Sequence, residues 1–287
     1  MTNVQRKILS FIEKIPALSP TIARIIAITG NDLSSASELV QAIKLDPVLT
    51  AKVLNLVNSA YFCVPQQITS INRAIILLGM NTIRNLALSA EVLSSFNPST
   101  GGSFDVDKFW EHSLACAVGC KLIAMRIETD PIKQEEYFIA GLIHDIGKIF
   151  LIKHFPRDYF SLVKKITDFE QLILKEKKFF TLNHAEIGGL IADKWALSGE
   201  LVKSITSHHD QNAVDYSKMP ATVYLSNRYC KISGYNDGIG IPKPAELTEA
   251  DWQRVGLSLS MEKDIFSMLN EKVEEAKVFL HIRHTSG

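Results

Sequence analysis

The sequence predicts an all-α protein, a helical bundle of two lobes. Apolar residues recur at spacings of three and four through most of the 287 residues, and no run alternates with a period of two. Cap-then-proline signals for helix starts appear at Ser19-Pro20 and Asp46-Pro47. A polar break from Asn97 to Ser103, with Pro98, Gly101 and Gly102, separates two helical stretches and sets the expected lobe boundary.

The elements follow in order. Ser19-Pro20 opens a helix through Ile22, Ile25 and Ile26, and a second starts near Ser35 to Ser37 with Leu39, Val40 and Ile43. Asp46-Pro47 opens a third through Leu49, Val53, Leu54 and Val57. Ser70 caps the next, through Ile71, Ala74, Ile75 and Leu78. Gly79 is expected to end it in a left-handed conformation, and Asn81 to cap its successor. Beyond the break, helices are expected from Val106 past Cys120 and from Lys133 to His144. Amphipathic connecting helices fill 157–180, then helices run from His184, from a Ser198 cap to His208-His209, and from Pro220 to Ser233. A Gly/Pro loop over 234–246 precedes a polar helical tail over 248–282. The tail's apolar stripe, Phe266, Leu269, Val273, Ala276, Phe279 and Leu280, suits either packing on the same chain or a homodimer.

Composition excludes several classes. Lys+Arg and Asp+Glu are 31 each, so bulk electrostatics do not favour nucleic acid. Four cysteines without a CxxC pair fit a reducing cytoplasm, and Cys116 and Cys120, four apart among small apolar neighbours, read as core residues. The N-terminus lacks a signal-peptide pattern, and no run of about 18 apolar residues suggests a membrane span.

Two segments invite a functional reading. Ala74 to Ser89, AIILLGMNTIRNLALS, has the helix–glycine–helix spacing of a DNA reader, but any tight helical corner shares it. Arg84 is the only basic residue on its second helix, so the corner is the better reading. The second segment set is a histidine series: His112, the His144-Asp145 doublet, His184 and His208-His209. Neutral imidazoles with one carboxylate suit a first-row transition metal, and one carboxylate can bridge two ions. Asp145 follows the apolar Ala140-Gly141-Leu142-Ile143, where a charge is costly without a cation or a hydrogen-bonding partner. The competing account is that Asp145 caps the next helix and pairs with a nearby histidine or Lys148. His154, His281 and His284 read as packed or surface residues.

These motifs resemble the HD superfamily of metal-dependent phosphohydrolases. The chain resembles still more closely the HDOD family, the HD-related output domains of bacterial signalling proteins. Leu45-Asp46-Pro47, Asn58-Ser59-Ala60 and Ile71-Asn72-Arg73-Ala74-Ile75 carry the likeness in the first half. Trp110-Glu111-His112-Ser113, His144-Asp145-Ile146-Gly147-Lys148, His184-Ala185-Glu186-Ile187-Gly188, Trp195 and His208-His209 carry it in the second. The resemblance implies an N-terminal lobe over 1–100, an HD-like lobe over 104–233 and a loop with helical extension over 234–287.

By similarity to HD-GYP phosphodiesterases, Asp145 would bridge two metals, with His112 and His144 at one and His184, His208 and His209 at the other. Lys148 would face a phosphate if the protein is an enzyme. Asn227 stands where such enzymes carry a final Asp, and its amide brings no charge. No Gly-Tyr-Pro follows His209, and Gly234-Tyr235 reads as coincidence. The expectation is therefore a cytoplasmic, non-catalytic regulatory domain that binds protein partners or a nucleotide or phosphate ligand. It would hold one or two ions of iron, manganese or zinc, or none. The alternative is a metal-dependent phosphodiesterase or nucleotide phosphohydrolase.

Overall fold

In the computed structural model, which describes residues 2–31, 33–95, 104–210 and 218–282, every regular element is a helix. The expected break at 97–103 and His284 lie outside these residues.

The first lobe comprises α1 (Asn3–Lys14), α2 (Pro20–Thr29), α3 (Ala36–Lys44), α4 (Pro47–Val57), α5 (Ile71–Leu78) and α6 (Met80–Ser95). Ser19, Ser35, Asp46 and Ser70 each accept a backbone N–H of the helix they precede, as expected of Ser and Asp caps. One expected cap is corrected. α6 begins at Met80, and Asn81 lies inside its first turn rather than capping it. Gly79 has φ 82° with ψ 161°, extended rather than left-handed in ψ. That backbone turns the chain sharply enough for the Gly79 carbonyl to accept from Ile83 N–H, which leaves no room for a separate cap. α1 is an element that the spacing had not assigned. Ile8 and Ile12 are buried, and Lys194 Nζ donates to the Ile12 carbonyl at 2.9 Å, fixing α1 to the second lobe.

α6 is the seam between the lobes. It packs on α2, α4 and α5 and also on α8 (Pro131–Ile143). Ten of its side chains are buried, and Arg84 pairs with Glu136 of α8 at 2.9 Å. The helix that a DNA-reading corner would present is thus consumed by the core.

The second lobe is built on α7 (Val106–Ile127), with α8, α9 (Ile146–His154), α10 (Pro156–Val163), α11 (Gln171–Phe180), α12 (His184–Lys194), α13 (Gly199–Ser207) and α14 (Met219–Ile232). α8 starts two residues before the expected Lys133, because Asp130-Pro131 repeats the cap-then-proline signal. Cys116, Cys120 and Cys230 are buried free thiols. Both lobes share one continuous hydrophobic core.

The tail is not one helix. It breaks into α15 (Glu249–Gln253), α16 (Glu262–Phe266), α17 (Leu269–Ala276) and α18 (Val278–His281). Its stripe folds back on the chain: α17 lies on α7, and α18 reaches α4 and α6. Phe279 is fully buried against Phe138 and Tyr61, with ring centroids 5.3 and 5.9 Å away. Phe279→Ala is expected to cost about 3–5 kcal/mol, because the cavity is walled by three helices; urea denaturation of wild type and variant measures it.

Candidate metal centre

Asp145 ends the α8–α9 junction with no solvent exposure, and four elements aim imidazoles at it. Its side chain makes no cap hydrogen bond to α9, so the capping account of this residue is set aside. Oδ1 lies 3.2 Å from His184 Nε2 and 3.4 Å from His208 Nε2. Oδ2 lies 3.3 Å from His144 Nε2 and 3.8 Å from His112 Nε2. His209 joins the Oδ1 face, with Nε2 3.1 Å from His184 Nε2. The two faces form two clusters with metal-ligand spacing, Asp145-His184-His208-His209 and His112-His144-Asp145.

Local backbone sets the aim of each ring. His144 and His208 follow the last turns of α8 and α13, and each Nδ1 folds back to the carbonyl three residues earlier, Gly141 at 2.7 Å and Ile205 at 2.6 Å. His112, at the end of the second turn of α7, donates from Nδ1 to the Tyr235 carbonyl at 2.9 Å. His184 opens α12 after the Asn183 cap, and its Nδ1 meets Glu176 Oε2 at 2.7 Å. With Nδ1–H donated in all four, Nε2 is the nitrogen that each ring turns to the centre. Among the described residues, Nε2 of His112, His144 and His208 and Oδ1 of Asp145 and Asn227 are buried without a hydrogen-bond partner. Buried polar atoms are rarely orphaned, so this donor set fits a transition metal. Asn227 lies on the buried face of α14.

The electrostatics point the same way. Burial holds His208 down at about 3, and His112 and His209 well below the usual imidazole range, so these rings are neutral. Burial presses on His144 too, but Asp145 and Cys116 beside it raise it to about 10. The proton so favoured stands in for cationic charge that Asp145 demands. Against the cost of burial, His144 and Lys148 keep the Asp145 carboxyl well below its ordinary range.

The resemblance placed Lys148 against a phosphate if the protein is an enzyme, while the competing account paired it with Asp145. Here it is fully buried, with Nζ 2.7 Å from Asp145 Oδ2 and 2.8 Å from Asp237 Oδ2. Asp237 was missed, as were Lys231, 2.5 Å from its Oδ2, and the Tyr235 carbonyl. All three come from the end of α14 and the Gly/Pro loop after it, and nothing in that loop's composition marks Asp237 as buried. Glu176 was missed too. It sits in the run Lys175-Glu176-Lys177-Lys178, which reads as a solvated face, yet it is fully buried and also accepts from Tyr159 Oη at 2.9 Å. His154 stacks on Phe11 with centroids 4.6 Å apart, a packed ring as expected.

Gly147 is what lets α9 approach α12. A Cβ there would lie 1.9 Å from the His184 carbonyl oxygen and 2.8 Å from Gly188 N, both backbone atoms. The close crossing puts Asp145 beside His184.

Comparison with known proteins agrees with this architecture. Residues 15–211 match the HDOD domain family model. The chain is similar to the solved structure of an HDOD domain protein with unknown function from Geobacter sulfurreducens, at 26% identity, TM-score 0.73 and 96% of each chain covered. It is similar to a candidate phosphohydrolase from Shewanella amazonensis SB2B at 25% identity and TM-score 0.72, covering 95% of this chain and 97% of that one. An uncharacterized protein of Treponema pallidum (strain Nichols) is 24% identical over 236 residues, 79% of this chain and 44% of that one. The chain therefore spans less than half of that relative's length.

Two substitutions probe the site's construction. Gly147→Ala is expected to abolish the centre by prising α9 from α12, seen as loss of bound metal together with a large drop in thermal midpoint. Glu176→Gln keeps the shape but weakens the hold on His184, and metal affinity measured by competition with a chelator is expected to fall 10–100-fold.

Proposed function

The chain belongs to the HDOD domain family, and from that premise we propose that it is a regulatory domain of bacterial signal transduction that performs no chemistry of its own. It works in the cytoplasm by binding regulatory protein partners, with a nucleotide or phosphate as the small-ligand class. The metal pocket is a structural element of the second lobe. No helix among the described residues is long and apolar enough to cross a membrane.

The observation that carries this reading is the condition of Lys148. A lysine that meets a substrate phosphate needs charge to spare. This one is enclosed and already neutralised by Asp145 and Asp237. Asn227 adds an amide where an HD-type hydrolase would carry an acid. For partner binding, Leu45, Val48 and Ile76 keep large apolar side chains in solvent on the first lobe.

The second reading, a metal-dependent phosphohydrolase, is favoured by the orphaned Nε2 atoms and by similarity to the Shewanella protein. His112, His144, Asp145, His184, His208 and His209 would hold the metal, and Asn227 would offer its amide oxygen. A transition metal there would act as a Lewis acid on a phosphoryl oxygen. Lys148 would have to leave Asp237 to reach that phosphate.

The two readings part on one experiment. Protein reconstituted with Mn(II) or Fe(II) is expected not to hydrolyse bis(p-nitrophenyl) phosphate. Asp145→Ala is expected to lose bound metal and about 3 kcal/mol of stability, because it leaves buried cationic groups uncompensated. Metal-dependent turnover in the wild type that disappears in this variant overturns the regulatory proposal.

A further inference from the structure

We infer that the centre takes a single divalent transition metal, on the face formed by Asp145 Oδ1, His184, His208 and His209, and that the Lys148 ammonium keeps a second ion off the His112–His144 face. This rests on reading the cluster as a metal centre, and it assigns the two faces unequal roles.

Spacing separates them first. Ligands about 2.1 Å from a tetrahedral ion lie roughly 3.4 Å from one another. The contacts on the first face are 3.2, 3.4 and 3.1 Å, so its donors already stand where one ion needs them. On the other face His144 Nε2 is 3.3 Å from Oδ2 but His112 Nε2 is 3.8 Å away, and that oxygen is already engaged by Lys148 Nζ at 2.7 Å.

Charge separates them further. An ion on Oδ2 would sit no more than about 4.8 Å from the ammonium, the sum of a ~2.1 Å metal–oxygen bond and the 2.7 Å contact. Its other donors, His112 and His144, bring no negative charge of their own to offset that repulsion. Lys148 has no room to withdraw. Its side chain is fully buried and Nζ is tied to Asp237, which Lys231 clamps from the other side. The first face has the opposite surroundings: Glu176 stands behind His184 at 2.7 Å and adds a second negative charge there. Counting the whole cluster, Asp145, Asp237 and Glu176 face the cations Lys148 and Lys231, so one dication brings the sum close to neutral and two leave it strongly positive.

The test counts ions. Wild-type protein loaded with excess Mn(II) and desalted is expected to retain one Mn per chain by elemental mass spectrometry, with the paramagnetic resonance spectrum of an isolated ion. Lys148→Met, similar in length and uncharged, is expected to retain two, with an exchange-coupled spectrum. Should that variant not fold, Lys148→Gln, uncharged but still able to hydrogen-bond Asp145 and Asp237, carries the same expectation. Independently, His112→Ala is expected to keep its ion, while His208→Ala loses affinity at least tenfold. Wild type retaining two ions or none, a folded Lys148 variant retaining one, or loss of the ion in His112→Ala overturns the inference. Turnover by a one-metal wild type would instead defeat the regulatory reading and leave this one standing.

Discussion

A carboxylate with no solvent exposure is the constraint around which the second lobe is arranged. Asp145 is held in its charged form against burial, and an isolated charge in such a place is prohibitive. Every neighbouring element answers it. α9 returns Lys148 one turn later, α7 delivers His112, α12 opens with His184, and α13 ends on His208. Helix ends suit this task, because a residue just past the last turn can satisfy its own backbone with one ring nitrogen and point the other inward. His144 and His208 both do so.

The compensation does not stop at the first contacts. Lys148 needs more than Asp145 once it is enclosed, and Asp237 supplies it; Asp237 in turn draws in Lys231. The loop after α14 is thereby fastened over α7, since Tyr235 accepts from His112 and Asp237 reaches Lys148 within three residues of each other. On the other side, Glu176 ties α11 to α12 through His184 and to α10 through Tyr159. A polar network of this extent costs desolvation at each member and returns specificity of arrangement rather than net stability.

Most of the helical framework was legible in the sequence because its signals are local: a Ser or Asp cap, a proline after it, an apolar residue every third or fourth position. The histidines of the buried cluster were legible because their motifs are short and match a family pattern. The failures have one physical character. Asn81 looked like a cap only because a cap is judged without knowing the ψ of Gly79. Glu176 and Asp237 were not singled out, because burial of a carboxylate depends on partners that arrive from elsewhere in the fold, Lys148 and Lys231 for Asp237 and a histidine for Glu176. Local composition carries no trace of such a partner. The tail was read as one helix because its stripe has helical period, but following α7, α4 and α6 in turn requires it to break between α15, α16, α17 and α18.

The internal ammonium bears on how far the fold would depend on an ion in the cluster. In small zinc-dependent domains the ion supplies the folding free energy, and removing it unfolds the chain. Here one continuous apolar core spans both lobes, from Ile8 to Ile282, and Lys148 already neutralises part of the charge that an ion would. The remaining deficit is visible as orphaned Nε2 atoms and as the proton favoured on His144. Lys148 is committed to Asp145 and Asp237, so its charge goes into holding the shape of the cluster.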